Sequence, residues 1–355
     1  MSKKITFYYD VVCPYAYIAS QRVEAAAARC GAVVDWQPVL LGGIYKSIEA
    51  PQVPAGTWSA PRAALGAQDL VWQADHHGVP LSVPDAHPRR TVSAMRLLVA
   101  VGGAARVALT HALYRAYWVE GRDVSDRAVL DDIATAHGVD PALIDSPAAR
   151  QGLFDTTAQA VAAGAFGVPT ITAAGQMFWG QDRLHFVEAA LGEGAPTALA
   201  PTRTGKTVRF FHDFSSPFSY LASTQIEAIA ARHGATVQWT PILLGGLFRS
   251  IGTPNVPLLA MTKAKQAYVQ RDMAAWAAWW GVPFAFPTVF PIRTVLPLRV
   301  AIAEPKATPH LYRALWAEDR NIGDPAVVAA VLTEAGLDAE GLIARASDPV
   351  IKGCL

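Results

Sequence analysis

One segment of this chain occurs twice. Asp10-Val-Val-Cys-Pro-Tyr-Ala-Tyr-Ile-Ala-Ser20 returns as Asp213-Phe-Ser-Ser-Pro-Phe-Ser-Tyr-Leu-Ala-Ser223, displaced by 203 residues. The displacement persists through Leu40-Leu-Gly-Gly-Ile-Tyr-Lys-Ser47 and Leu243-Leu-Gly-Gly-Leu-Phe-Arg-Ser250, through Gly78-Val-Pro80 and Gly281-Val-Pro283, and through Arg90-Thr91 and Arg293-Thr294. A short deletion then brings Leu113-Tyr-Arg-Ala116 onto Leu311-Tyr-Arg-Ala314, a displacement of 198. A repeat this long is a duplicated domain, not a stacked solenoid unit. Copy 2 runs to the equivalent of Leu153, and the stretch from Phe154 to about Gly192 has no counterpart in it. Either the chain is truncated or copy 2 does without those last elements.

The chain has 355 residues, enough for two domains of ordinary size. A formal net charge of +1 and a charged fraction of 17% give no nucleic-acid footprint and no polybasic membrane anchor. The start runs directly into an apolar strand and lacks a signal-peptide core, and Leu97–Leu113 is too short and interrupted to span a bilayer. Three cysteines (Cys13, Cys30 and Cys354) in no pairing pattern fit a reducing compartment, so a cytoplasmic protein is expected.

Ile5–Tyr9 reads as a buried strand, Tyr15–Arg29 as a helix closed by Gly31, and Ala32–Val39 as a second strand. Copy 2 repeats the order with Val208–His212, Pro217–Arg232 and Ala235–Ile242, so each unit begins βαβ with a parallel pair. Helical patterns then dominate: Pro61–His77, Thr91–Val101, Arg106–Glu120, Asp126–His137 and Pro147–Ala163. Phe166–Thr172 and Gln176–Trp179 read as short strands and Gln181–Leu191 as a last helix. The expected domains are residues 1–192, with a helical insertion over about 43–155, a linker over 193–206, and a second copy over 207–355.

Four groups of residues are candidates for chemistry. Cys13 aligns with Ser216, and both directly precede Pro at a strand-to-helix junction. A helix N-terminus favours a thiolate there, although an isolated Cys is commonly just a small buried apolar residue. Ala16 and Ser219 occupy the position three residues on, so neither copy has the second thiol of C-x-x-C chemistry. Val168 and Pro169 form an X-Pro bond that either exposes backbone groups to a ligand or simply protects a strand edge. Trp179, Gly180, Gln181 and Asp182 end a strand and open a helix, where Asp182 serves as a cap or as an acceptor for a ligand ammonium group. Tyr45, Lys46, His87 and Arg90 are the candidate substrate contacts, Arg90 as a bidentate carboxylate clamp or as a plain surface arginine. No histidine pair has metal-ligand spacing, and no metal is expected.

Taken as a set, Asp-x-x-(Cys/Ser)-Pro-(Tyr/Phe)-x-Tyr, Leu-Leu-Gly-Gly, Phe166-Gly-Val-Pro-Thr170 and Phe178-Trp-Gly-Gln-Asp-Arg-Leu184 resemble the 2-hydroxychromene-2-carboxylate isomerases. These are relatives of kappa-class glutathione transferases in the DsbA-like branch of the thioredoxin superfamily. The resemblance implies an α/β thioredoxin-like fold with an all-helical insertion domain, in two tandem copies, the second lacking its strand-strand-helix part. It implies glutathione as cofactor, with its cysteinyl backbone on Val168 before a cis-Pro169, and its γ-glutamyl end at Trp179–Asp182. The side chain at Cys13 or Ser216 would stabilise its thiolate. The implied reaction interconverts 2-hydroxychromene-2-carboxylate and trans-o-hydroxybenzylidenepyruvate, or isomerises a similar aromatic carboxylic acid. Copy 1 departs from the family in carrying Cys13 where Ser is usual, and copy 2 has Ser216 without the later motifs. A glutathione transferase, a monothiol oxidoreductase using Cys13 and a non-catalytic binding protein remain as alternatives. An intramolecular pseudo-dimer and a homo-oligomer are both compatible with the duplication.

Overall fold

The computed structural model describes residues 3–192 and 205–355, so the expected linker lies outside the described residues except for its last two positions. The chain divides into two compact units, residues 1–197 and 198–355. In unit 1, strand β1 (Lys3–Tyr9) leads through Cys13 into α1 (Pro14–Ser20) and α2 (Val23–Arg29), then β2 (Ala32–Pro38). Helices α3 (Leu41–Ser47), α4 (Ala60–His76), α5 (Val92–Ala100), α6 (Gly103–Trp118), α7 (Arg127–Ala136) and α8 (Pro147–Ala162) follow. The unit closes with β3 (Thr170–Ala173), β4 (Gln176–Trp179) and α9 (Leu184–Ala190). The sheet order is β2-β1-β3-β4. β1 and β2 are parallel, with Phe7 opposite Trp36, and β1–β3 and β3–β4 are antiparallel. This is the thioredoxin-like arrangement with a helical insertion that the motif set implied.

The parallel pair needs a crossover, and α1–α2 supply it. The predicted single helix Tyr15–Arg29 is broken at Gln21–Arg22, where Arg22 leaves helical geometry at φ −126°. No Gly or Pro marks the break. The Arg22 side chain makes a tertiary contact described below. The strand expected at Phe166–Thr172 begins only at Thr170, because Val168-Pro169 is a cis peptide bond and Phe166–Pro169 run as irregular backbone.

Aromatic side chains fill the space between sheet and helical layer. Phe7, Tyr9, Tyr114, Tyr117 and Trp118 are all fully buried, and Phe7 and Tyr9 each meet Trp36 edge-on. The Trp118 indole N–H donates to the Val11 carbonyl at 2.8 Å, which pins the turn after β1 to the end of α6.

Unit 2 repeats the first part of this plan. β5 (Thr207–His212), α10 (Pro217–Ser223), α11 (Ile226–Arg232) and β6 (Thr236–Pro241) form the βαβ element, with β5 and β6 parallel. Helices α12 (Leu244–Ser250), α13 (Lys263–Trp279), α14 (Val295–Ala303), α15 (Thr308–Trp316), α16 (Pro325–Glu334), α17 (Ala339–Arg345) and α18 (Pro349–Cys354) complete it. Trp316 stands where Trp118 stands in unit 1, and its N–H donates to the Phe214 carbonyl, again at 2.8 Å. Phe290-Pro291 is cis, as is its counterpart His87-Pro88.

Replacing either tryptophan by Phe leaves a buried carbonyl without its donor, a loss of about 1–3 kcal/mol. Trp118→Phe is therefore expected to lower the denaturation midpoint of unit 1, and Trp316→Phe that of unit 2. Circular dichroism with urea on each full-length variant checks this.

Candidate functional site

The site is built around the turn between β1 and α1. Asp10 at the end of β1 is fully buried. Its carboxylate accepts hydrogen bonds from the Val12 N–H at 3.1 Å and the Leu41 N–H at 2.9 Å, and the Thr91 side chain adds a third. The Asp10 carbonyl accepts the Cys13 N–H at 3.0 Å and the Tyr114 hydroxyl at 3.4 Å. Burial pushes the Asp10 carboxyl up to about 6, against the pull of those donors. The same bracket exists in unit 2. Asp213 accepts from Ser215 N–H at 2.9 Å and Leu244 N–H at 2.8 Å, and its carbonyl takes the Ser216 N–H at 3.1 Å.

Cys13 and Ser216 thus occupy equivalent N-cap positions with nearly equal backbone angles, φ −93° and −98° with ψ 117° in both. Their side chains behave differently. Ser216 is half-buried, and its Oγ caps α10 by accepting the Ser219 N–H at 3.2 Å. Cys13 is buried, and its thiol donates to the Val168 carbonyl at 3.1 Å. The expected thiolate-favouring environment is not what Cys13 meets. Burial pushes the thiol up to about 12, and the opposing Tyr15 and Ala16 N–H groups at the start of a seven-residue helix are outweighed. Cys13 is a neutral hydrogen-bond donor at neutral pH.

Val168 and Pro169 lie directly against Cys13 through that thiol contact. Among the described residues no hydrogen bond uses the Val168 N–H, while the Pro169 carbonyl accepts from Gly180 N–H at 3.0 Å. The second bond ties the cis-proline segment to the turn after β4. Gly180 has φ 109°, and a Cβ there would stand 2.4 Å from the Asp182 carboxylate. A Cβ on Gly167 would stand 3.0 Å from the Trp179 indole nitrogen. Both glycines permit a close approach, so Trp179 leans on the Val168 segment and the Asp182 carboxylate folds back over its own turn. Asp182 remains about half exposed and pairs with Arg183. Gln181 is buried. A cleft of about 200 Å³ opens beside this turn, lined by Arg22, Arg29, Asp182, Leu184, His185 and Glu188. Cys13 does not line it.

Tyr45 approaches the same centre. Burial raises its pKa, and Cys13 and Asp10 add to the effect. Lys46 is exposed, and nothing among the described residues links it to Cys13. His87 turns to the helical layer instead, with its Nδ1 2.9 Å from the Tyr117 hydroxyl and its ring against Trp118. Burial lowers its pKa. Arg90 is exposed, without a described contact to the site. Hydrogen bonds therefore join Cys13 to Val168 and Pro169 to the Trp179–Asp182 turn, and among the described residues none joins Lys46, His87 or Arg90 to Cys13 or to that turn. Among the described residues no cluster of His, Cys, Asp and Glu is suited to a metal ion.

Several residues of the site escaped the motif reading. Tyr15 donates its hydroxyl to Asp69 at 3.1 Å, and its pKa is raised by burial, then by Asp69, with Cys13 and Asp182 also contributing. Arg22 donates to the Gln181 carbonyl at 3.1 Å and also to the Gln181 side chain. Gln73 accepts from the Gln181 amide at 2.7 Å.

A family model described as the DSBA-like thioredoxin domain matches residues 4–192 and again 207–355. A 2-hydroxychromene-2-carboxylate isomerase of Sphingobium xenophagum is 29% identical over 201 residues, covering 54% of this chain and 99% of that protein. Glutathione S-transferase kappa 1 of Rattus norvegicus is 27% identical over 217 residues, covering 56% of this chain and 95% of its own length. A solved structure of a 2-hydroxychromene-2-carboxylate isomerase is 24% identical and covers 53% of this chain and 94% of its own, with a TM-score of 0.46. No helix among the described residues is long and apolar enough to cross a membrane.

The raised pKa of Asp10 has a consequence for stability. The folded state holds this proton more tightly than the unfolded chain between about pH 4 and 6. The Asp10 contribution is therefore full below pH 4 and lost as the pH rises through 6. Asp10→Asn keeps one acceptor and removes the titration. Its destabilisation of unit 1 is expected to be largest near pH 4 and to shrink toward pH 7 by an amount on the order of 3 kcal/mol. Urea titrations of both proteins across that range check the sign.

Proposed function

This chain belongs to the DSBA-like thioredoxin domain family, and we propose on that footing that unit 1 is a glutathione-dependent isomerase. Its substrate is 2-hydroxychromene-2-carboxylate, with trans-o-hydroxybenzylidenepyruvate as product, or a similar conjugated aromatic acid. The single observation that carries this reading is the meeting of three separated segments. Cys13 touches Val168, and the Pro169 carbonyl is bonded to Gly180, one turn from the Asp182 carboxylate. The names of the similar isomerases and of the kappa-class transferase support the same choice.

The residues present suit glutathione. The Val168 N–H is a buried donor without a described hydrogen bond, next to a thiol donor, and such a group is suited to an extended peptide backbone. The half-exposed Asp182 carboxylate is suited to an α-ammonium group. Bound glutathione would supply the nucleophilic thiolate for a reversible addition to the conjugated double bond. Cys13, a neutral S–H held at the start of α1, is the donor this chain offers to that thiolate. In that role its thiol would release the Val168 carbonyl. The burial that keeps Cys13 protonated disfavours the monothiol alternative, which needs a thiolate on the protein. Ser216 would offer a stronger donor in unit 2, where its Oγ instead accepts the Ser219 N–H.

Calorimetric titration with glutathione and an absorbance assay of the isomerisation test this together. Wild type is expected to bind. Asp182→Ala is expected to weaken binding by about tenfold or more, the loss of a charge-assisted hydrogen bond. Cys13→Ser is expected to retain activity and Cys13→Ala to lose most of it. Binding indifferent to Asp182→Ala, or a Cys13→Ala variant as active as wild type, would contradict the assignment.

A further inference from the structure

Tyr15, Asp69, Gln73, Gln181 and Arg22 form one continuous hydrogen-bonded chain. The Tyr15 hydroxyl donates to one Asp69 oxygen at 3.1 Å, and the Gln73 amide donates to the other at 3.4 Å. The Gln181 amide donates to the Gln73 carbonyl oxygen at 2.7 Å. Arg22 closes the chain on both the backbone and the side-chain oxygen of Gln181. Asp69 and Gln73 are four residues apart on α4 and so share one face. Tyr15 lies two residues after Cys13, Arg22 sits at the break between α1 and α2, and Gln181 separates Gly180 from Asp182. The chain thus runs from the thiol-bearing helix, through the helical insertion, to the turn that carries the Asp182 carboxylate, and back.

Unit 2 shows what this network is not for. At the 203-residue displacement Tyr15 becomes Phe218, Gln73 becomes Trp276 and Arg22 becomes Gln225, whereas Asp69 is kept as Asp272. Asp272 takes a hydrogen bond from Tyr268 on its own helix, at 3.3 Å. Yet α10 packs on α13 just as α1 packs on α4. The helices therefore meet although Phe218 has no hydroxyl to offer Asp272. Three of its members differ in unit 2, while the Asp10 bracket is retained there. What the network holds is the Gln181 turn. A buried amide whose oxygen and nitrogen both find partners is fixed in one orientation, and losing either partner is costly.

We propose that Tyr15, Asp69, Gln73 and Arg22 are positioning residues that hold Gln181, and through it the Asp182 carboxylate, at a set distance from Cys13. The consequence for glutathione rests on the function proposed above. The helical insertion then sets cofactor affinity without touching the cofactor, through Gln73. The carboxylate carries the charge, and the network fixes where it stands.

Hydrogen exchange on the full chain, with no ligand, tests the positioning by itself. In Gln73→Met the amides of residues 179–183 are expected to exchange about tenfold faster, as expected for one lost buried hydrogen bond. The rest of unit 1 should be unchanged. Gln68→Met, on an exposed face of α4, should change nothing. Tyr15→Phe, whose counterpart Phe218 is natural in unit 2, provides a second variant with a smaller effect in the same direction. With glutathione, Gln73→Met should raise KM for glutathione about tenfold and leave kcat at saturation near wild type. Unaltered exchange at 179–183 in both variants, or faster exchange spread evenly over unit 1, would overturn the proposal. If wild type binds no glutathione while the local exchange effect is present, the positioning stands and only the functional reading falls.

Discussion

Everything in this chain hangs on one buried carboxylate per unit. Asp10 and Asp213 each accept two backbone N–H groups, one from the turn after the first strand and one from the start of the helix that follows the second strand. Three segments (the end of the strand, the strand-to-helix turn and the Leu-Leu-Gly-Gly helix) are locked together by that one side chain. The carbonyl of the same residue then receives the N–H of Cys13 or Ser216, so the functional position is set to within a few degrees of backbone angle in both units. A charge in such a place is tolerated only because its oxygens are satisfied, and its raised pKa in unit 1 records the residual cost of burial.

On that common frame, the contrast between Cys13 and Ser216 becomes a contrast of surroundings. In unit 1 the Val168 segment covers the position, and the side chain there is buried and donates to a carbonyl. A thiol suits such a site because it behaves as a small apolar group with a weak donor. In unit 2 the side chain is half-buried, and the hydroxyl turns back to cap its own helix. The helix N-terminus alone does not make a thiolate in unit 1. Desolvation outweighs a dipole built from two turns of helix. Reactivity in this unit is accordingly expected from a bound thiol that retains some solvent, with Cys13 as its partner.

Much of the fold was legible in the sequence because the signals were local or repeated. The Ile5–Tyr9 run, Pro14 and the Gly31 stop mark the opening βαβ element, and the 203-residue echo showed that it recurs. The break at Gln21–Arg22 was not legible. No breaking residue occurs there, and unit 2 breaks in the same way at Gln225, φ −118°, so the break belongs to the shared fold and not to any one side-chain contact. The late start of β3 likewise depends on a cis bond that local pattern leaves open. In the site, the motif segments identified Cys13, Val168 and the Trp179–Asp182 turn, because each is a continuous run of residues. The polar chain through Tyr15, Asp69 and Gln73 has no such run, since its members are scattered over separate elements. Its one sequence trace is the joint change to Phe218, Trp276 and Gln225 in the second copy, visible only when the copies are read against each other. Lys46, His87 and Arg90 drew attention by residue type, but among the described residues no hydrogen bond joins them to Cys13.

The central claim is that the unit 1 site holds glutathione with its sulfur beside a neutral Cys13. Carbon NMR of glutathione labelled at its cysteine β-carbon, bound to the full chain and titrated with pH, addresses it most directly. A bound thiol whose pKa lies well below that of free glutathione, returning toward the free value in Cys13→Ala and with no disulfide to Cys13, is the predicted result. A bound thiol that titrates like the free one, or a mixed disulfide on Cys13 as the resting form, would contradict it.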